Sequence, residues 1–195
     1  MTRLTRAEQQ QRTHSALLDA GRRVFLRRGF LAASVEEIAA EAGYTRGAVY
    51  KHFGSKEGLW LTLLEAGADA FFAELQKNLS GARTRDELIA ALSPRDSRDS
   101  LSWSTTAAEV LAASAQQPEI NARIAAVQQR FDDRMAELLA THAARLGLTP
   151  ALPLSEVVVM LGALGIGLAL RHTVAPAGNP TVITAHVLGS VFPAE

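Results

Sequence analysis

Apolar residues along the 195-residue chain recur at intervals of three and four, and strict alternation of apolar and polar positions is rare. That period belongs to helices that bury one stripe, and with Ala and Leu dominant it predicts an all-α chain of about nine helices. The first covers residues 12–28, with Leu17, Gly21, Val24 and Phe25 on one face and arginines on the other. Gly29 is placed to end it in a left-handed turn, and Phe30 supplies the apolar contact that accompanies such a cap. Two short helices follow, and a fourth runs from Lys56 to about Leu79. A short helix from Thr84 to Leu92 is broken by Ser93-Pro94 and a charged loop to Ser100, after which Ser102 to Ala115 is helical. Pro118 suits the first turn of the next helix, where a missing N–H costs little. That helix carries Ile120, Ile124, Val127, Phe131, Met135, Leu138 and Leu139 at helical spacing down to Leu146-Gly147. An apolar helix from Leu154 to Val174, the turn APAGNP and a helix from Thr181 to Val191 close the chain.

The two short helices carry the candidate chemistry. Ser34-Val35-Glu36-Glu37 reads as a capping box, in which the Ser34 hydroxyl accepts from the Glu37 N–H and the Glu37 carboxylate reaches back to the Ser34 N–H. Ile38 and Ala42 share the inner face of the helix that starts there, and Ala39 lets another helix come close. Gly43 follows where a tight turn needs positive φ, Thr45 can cap a second helix, and Val49 and Phe53 give that helix its inner stripe. Its outer face is then Arg46, Gly47, Ala48, Tyr50, Lys51 and His52. Such a face suits the major groove of DNA: Gly47 and Ala48 keep it slim, Ala48 can meet a thymine methyl, and Arg46 can donate two hydrogen bonds to guanine. Tyr50, His52 and Lys56 can donate to phosphates, which sets register without reading sequence. A helix-turn-helix over roughly Ser34 to Phe53 is the result. Geometry alone leaves a purely structural helix pair equally open, since a glycine turn between short helices occurs in many proteins that never touch DNA.

The stretch SVEEIAAEAGYTRGAVYKHFGSKEGLW, with GRRVFLRRGF before it, strongly resembles the N-terminal domain of tetracycline-repressor (TetR) family regulators. The resemblance covers about residues 12–62, with the Ile-Ala, Ala-Gly, Tyr-x-His-Phe and Ser-Lys-Glu elements all in register. Ala33 stands where a Thr is common, and Tyr44 replaces a small aliphatic residue. The resemblance implies that Ser34, Thr45, Tyr50, His52 and Lys56 face phosphates while Arg46, Gly47, Ala48 and Lys51 lie where bases are read. It also implies an N-terminal three-helix DNA-binding domain (1–58) and a C-terminal helical domain (59–195) with an inducer pocket, whose last two helices form a dimeric four-helix bundle.

Charge agrees with that division. Residues 1–60 hold ten Lys and Arg against six Asp and Glu, and the remainder holds ten against fourteen. A basic head on an acidic body suits a regulator better than an architectural DNA binder that coats the duplex without sequence preference. Cys is absent and the five His are scattered, so neither a disulfide framework nor a metal site or cofactor is expected. No HExxH, Walker or GxSxG pattern supports the third alternative, a helical enzyme. The polar start of the chain lacks the apolar core of a secretory signal, and the longest apolar run, Val157 to Leu170, is 14 residues. A membrane-spanning helix needs ~20, so a cytoplasmic protein without a membrane partner is expected. Gly162, Gly165 and Ala169 form a small-residue stripe suited to close helix approach. In the body, Phe71, Phe72, Trp103, Phe131, Met135, Met160 and His172 are candidates to contact a small, predominantly apolar inducer, since few charges interrupt the apolar stretches there. The expectation is a repressor that binds a palindromic operator as a homodimer and leaves it when the inducer binds.

Overall fold

The computed structural model describes residues 5–93, 98–175 and 178–194, with the side chains of 98–100 set aside. Among the described residues there are nine α-helices and no strand. In chain order they are α1 (Arg6–Ala32), α2 (Val35–Ala42), α3 (Arg46–Phe53), α4 (Lys56–Gly81), α5 (Arg85–Leu92), α6 (Arg98–Ser114), α7 (Pro118–Arg145), α8 (Leu154–Val174) and α9 (Pro180–Val191).

Helix α1 differs from expectation at both ends. It starts early because Thr5 and Glu8 form a complete capping box: the Thr5 hydroxyl accepts from the Glu8 N–H at 3.2 Å, and the Glu8 carboxylate accepts from the Thr5 N–H at 2.7 Å. At the other end Gly29 does take positive φ, 75°, but its ψ of 176° is extended. One further turn therefore follows the kink instead of a left-handed cap. Helix α6 begins at Arg98, inside the stretch expected to be loop, while Pro94 and the charged residues up to 97 lie outside the described residues, as do 176 and 177 of the turn before α9.

Two cores result. The first joins Leu17, Val24 and Phe25 of α1, Ile38 of α2, Val49 and Phe53 of α3, and Leu59 to Leu63 of α4, and it extends to Val110 of α6 and Ile124 of α7. The second collects Leu75 and Leu79 of α4, Leu88 of α5, Ala143 of α7, Val157 of α8 and Leu188 of α9. Helix α4 thus starts in one core and ends in the other, and α1 lies along α6. Arg145 closes the far end of α4 by donating to the carbonyls of Leu79 and Ala82 at 2.8 and 2.9 Å.

By length and composition α8 could cross a membrane, with a mean hydropathy of 1.8 over an 18-residue window of which 22% is buried. In the fold it lies against α6, α7 and α9 through Val157, Val158, Leu168 and Ala169. The small-residue stripe is split: Ala169 is buried, whereas a Cβ built on Gly162 or Gly165 would meet nothing within 4 Å.

Candidate nucleic-acid interface

Ser34 caps α2 as its residue type predicts, its hydroxyl accepting from the Glu37 N–H at 3.0 Å. The reciprocal half of the expected capping box is missing. Glu37 instead turns its carboxylate to Arg27 at 3.3 Å and Arg28 at 3.4 Å, and Glu41, one turn later, takes Arg27 at 2.6 Å and Arg23 at 2.7 Å. Two α2 carboxylates so pin α2 across the end of α1, and the Arg27 and Arg23 hydrogen bonds hold the Glu41 carboxyl below its ordinary range. Gly43 then takes φ 75° and ψ 28°, the left-handed turn that only glycine adopts without a penalty.

Behind α3, Val49 is fully buried and Phe53 nearly so, against Ile38 and Ala39 of α2. Arg46, Gly47, Tyr50 and Lys51 are thereby left in solvent, with Tyr50 48% exposed. Thr45 occupies the N-cap position in extended backbone but makes no side-chain cap bond. Without that side-chain cap, the amide end of α3 is a favourable place for an anion. Arg46 pairs with Glu36 at 3.2 Å, with side chains 68% and 60% exposed. A pair that open to water is worth little and yields readily to a better partner.

Three of the expected contact residues sit deeper than a solvent-facing helix suggests. Ala48 is half-buried against the first core. His52 is half-buried beside His14, ring centroids 5.7 Å apart, and its pKa is lowered first by burial, then by His14 and Lys51. Lys56 donates to the carbonyls of Phe30 at 2.8 Å and Ala33 at 2.9 Å and lies 4.3 Å over the Phe30 ring. Two of its three N–H donors are therefore spent inside the protein, and burial lowers its pKa against the opposing pull of Glu57 and Glu109. Ala33, at 3% exposure, serves this clamp through its backbone.

Two structural supports carried no obvious signal in the sequence. Gly58 passes so close under the Phe53 carbonyl that an added Cβ would lie 2.0 Å from its oxygen. Glu109 of α6 accepts from the N–H groups of Phe30 and Leu31 at 2.5 and 3.0 Å, tying the body to the residues just before α2. Only the glycine itself was visible in the motif Ser-Lys-Glu-Gly, and nothing near Glu109 pointed to a partner 79 residues away.

The candidate effector residues do not converge on one space. Phe71, Phe72 and Phe131 form an aromatic cluster between α4 and α7, with Phe71 46% exposed. Trp103 stacks on Trp60 at 6.2 Å, and Met135 and Met160 are packed on the second core. His172 lines a cleft between α1, α6 and α8. Among the described residues no cluster of His, Asp and Glu suited to a metal ion occurs.

Residues 17–63 match the family model described as bacterial regulatory proteins, tetR family. The HTH-type transcriptional regulator TtgW of Pseudomonas putida, itself uncharacterised, is 32% identical over 92 residues, which is 47% of this chain and 68% of that protein. The matched stretches span about a third, 35% and 31%, of the first curated relatives. Among solved structures, a TetR-family transcriptional regulator from Rhodococcus sp. superimposes with a TM-score of 0.71 at 21% identity, covering 93% of this chain and 99% of that one. A transcriptional regulator from Saccharomonospora viridis in complex with choline gives 0.64 at 20% identity, covering 94% and 95%.

Proposed function

Since the chain belongs to the tetR family of bacterial regulatory proteins, we propose that it is a sequence-specific DNA-binding repressor that works as a homodimer in the cytoplasm and is released from a palindromic operator by a small, predominantly apolar molecule. The observation that carries this reading is the exposed, slim face of α3, where Arg46, Gly47, Tyr50 and Lys51 stand free of the core while Val49 and Phe53 anchor the helix from behind. Arg46 reads a guanine edge, Gly47 and Ala48 allow close approach, and Lys51 reaches the groove beside them. Ser34, Thr45, Tyr50, His52 and the remaining donor of Lys56 engage phosphates.

Residues 1–58 are the DNA-reading part and 59–195 the sensing and dimerising part. Support for the dimer comes from α8, whose Val159 and Val174 are 60% and 87% exposed, and from Val182 on α9 at 49%. A second copy covers such a face with the same face, and the twofold axis that results demands a palindromic site. A small-molecule effector is supported by the regulator of like fold that is in complex with choline.

In-vitro selection of DNA with the full chain, followed by binding isotherms, tests the reading. A palindromic motif is the expected product, and Arg46→Ala should relax preference at one base position per half-site, costing about 1–3 kcal/mol on the preferred base. Unselective DNA binding by the wild-type chain would overturn it.

A further inference from the structure

The open cleft between the end of α1, α6 and the last turns of α8 has a volume of about 530 Å³, within the ~300–1,000 Å³ range of small-molecule sites. Its polar lining sets acceptors from α6 and α8 beside the His172 ring and the Ser102 hydroxyl. Thr105, Thr106 and Thr173 line it, and each donates its hydroxyl proton to a carbonyl of its own helix, to Leu101 at 3.0 Å, Ser102 at 2.8 Å and Leu170 at 2.7 Å. Their oxygens keep only lone pairs for a guest. Arg27 and Arg28 border the cleft, but their guanidinium groups are drawn onto Glu37 and Glu41.

Glu109 supplies the charge, which also acts on the Lys56 ammonium. Its Oε2 accepts both the Phe30 and Leu31 N–H, whereas Oε1 takes no hydrogen bond among the described residues. Gly29 makes this approach possible: a Cβ there would lie 2.7 Å from Oε2 and 2.9 Å from Oε1. A half-used carboxylate, acceptor-only hydroxyls and the hydrocarbon of Leu26, Leu101 and Ala169 meet in one space.

We propose that this cleft binds an organic ammonium ion carried on a mostly hydrocarbon body, with Glu109 as its counter-charge, and that occupancy loosens the body's hold on the DNA-reading helices. The proposal rests on the effector-responsive reading above and gives its ligand a chemical class. An ammonium ion on Oε1 draws the carboxylate toward the cleft and so weakens the Oε2 bonds to the Phe30 and Leu31 amides. The carbonyls of Phe30 and Ala33 hold Lys56, and Ser34 next in the chain caps α2, so the disturbance arrives at the entrance of the helix-turn-helix. An alcohol of the same shape lacks the charge-assisted bond, and a carboxylate is repelled.

The test titrates the full chain with cyclohexylmethylammonium, phenethylammonium and adamantylammonium ions, each beside the alcohol and the carboxylate of the same skeleton, followed by calorimetry and amide NMR. Ammonium ions are expected to bind about tenfold tighter than the alcohols, to shift the Phe30 and Leu31 amide signals, and to lose that preference in Glu109→Gln. Ser102→Lys, which tethers an ammonium in the same space, should block binding without removing the carboxylate and serves if Glu109→Gln does not fold. Saturation is expected to weaken binding to in-vitro-selected DNA about fivefold or more. No binding by any ammonium at millimolar concentration, equal binding of the alcohols, a preference that survives both variants, or unchanged DNA affinity at saturation would each overturn the proposal. A chain that selects no DNA yet shows Glu109-dependent ammonium binding would retain the cleft as a site and overturn the regulator reading instead.

Discussion

Lys56 clamps the Phe30 and Ala33 carbonyls and is proposed to give its remaining donor to a phosphate, so one substitution tests two roles. Lys56→Ala is expected to destabilise the free protein by roughly 1–3 kcal/mol, because two carbonyls lose a charged donor. It should also weaken binding to all DNA sequences alike and shallow the salt slope by about 0.9. Lower DNA affinity with an unchanged urea midpoint would show that the clamp is energetically idle. His52 makes a prediction of opposite sign in the two states. Its pKa in the free fold is lowered from 6.5, chiefly by burial, so stability present above the ordinary value is lost as pH falls through the folded value. The phosphate contact proposed for His52 favours the protonated ring, so DNA binding should take up a proton and tighten over the same fall. Urea curves and DNA isotherms at pH 7.5 and about pH 5.5 would show both trends, and His52→Gln should flatten the DNA trend and lessen the stability trend. His142, whose pKa burial and then Arg145 also lower, adds to the loss of stability alone.

Among the elements, the α3–α4 junction has the least room. Ser55 caps α4 by accepting from the Gly58 N–H at 3.0 Å, which draws Gly58 under the Phe53 carbonyl. Gly58→Ala should cost at least the upper end of the ~1–3 kcal/mol seen for overpacking, since carbonyl and helix must part; a thermal midpoint within a degree or so of wild type would contradict the geometry. Gly165 is the converse case. Nothing lies near a Cβ built there, so Gly165→Leu should leave the helical content and stability of an isolated protomer intact and act only where a second copy packs on α8. Light scattering is expected to give a dimer for the wild type and a weakened one for the variant. A wild-type monomer at micromolar concentration would remove the dimer from the proposal.

At the level of the whole molecule, the functional division proposed at residue 58 is not a folding division. Leu59 to Leu63, Val110 and Ile124 complete the core around Leu17, Val24 and Phe25. A fragment of residues 1–58 should therefore fail to fold alone, seen as weak helical circular dichroism without a cooperative melt; a cooperative transition in that fragment would show that the head core closes by itself. The chain's two tryptophans, Trp60 and Trp103, stack where the head meets α6. The buried Trp60 Nε1 has no hydrogen-bond partner among the described residues. Intrinsic fluorescence therefore reports this junction, and a shift on DNA binding is expected if head and body move together.

What the chain's local order determines was legible without the fold. Helical period set the number and class of elements, and α8 runs from Leu154 to Val174 as its apolar pattern predicts. Ser34, Gly43 and the Val49–Phe53 stripe follow from cap, turn and spacing, each within a few residues of its partner. Contacts between distant segments were not legible, because a partner 26 or 79 positions away leaves no periodic trace. Only tertiary structure decided that Glu37 leaves its own capping box for two α1 arginines, that Lys56 is a clamp, and that His52 is half-buried. It likewise decided that the inducer candidates scatter while a cleft forms around Glu109. In each case a side chain with several available partners took the one that packing brought nearest, and packing is a property of the whole chain.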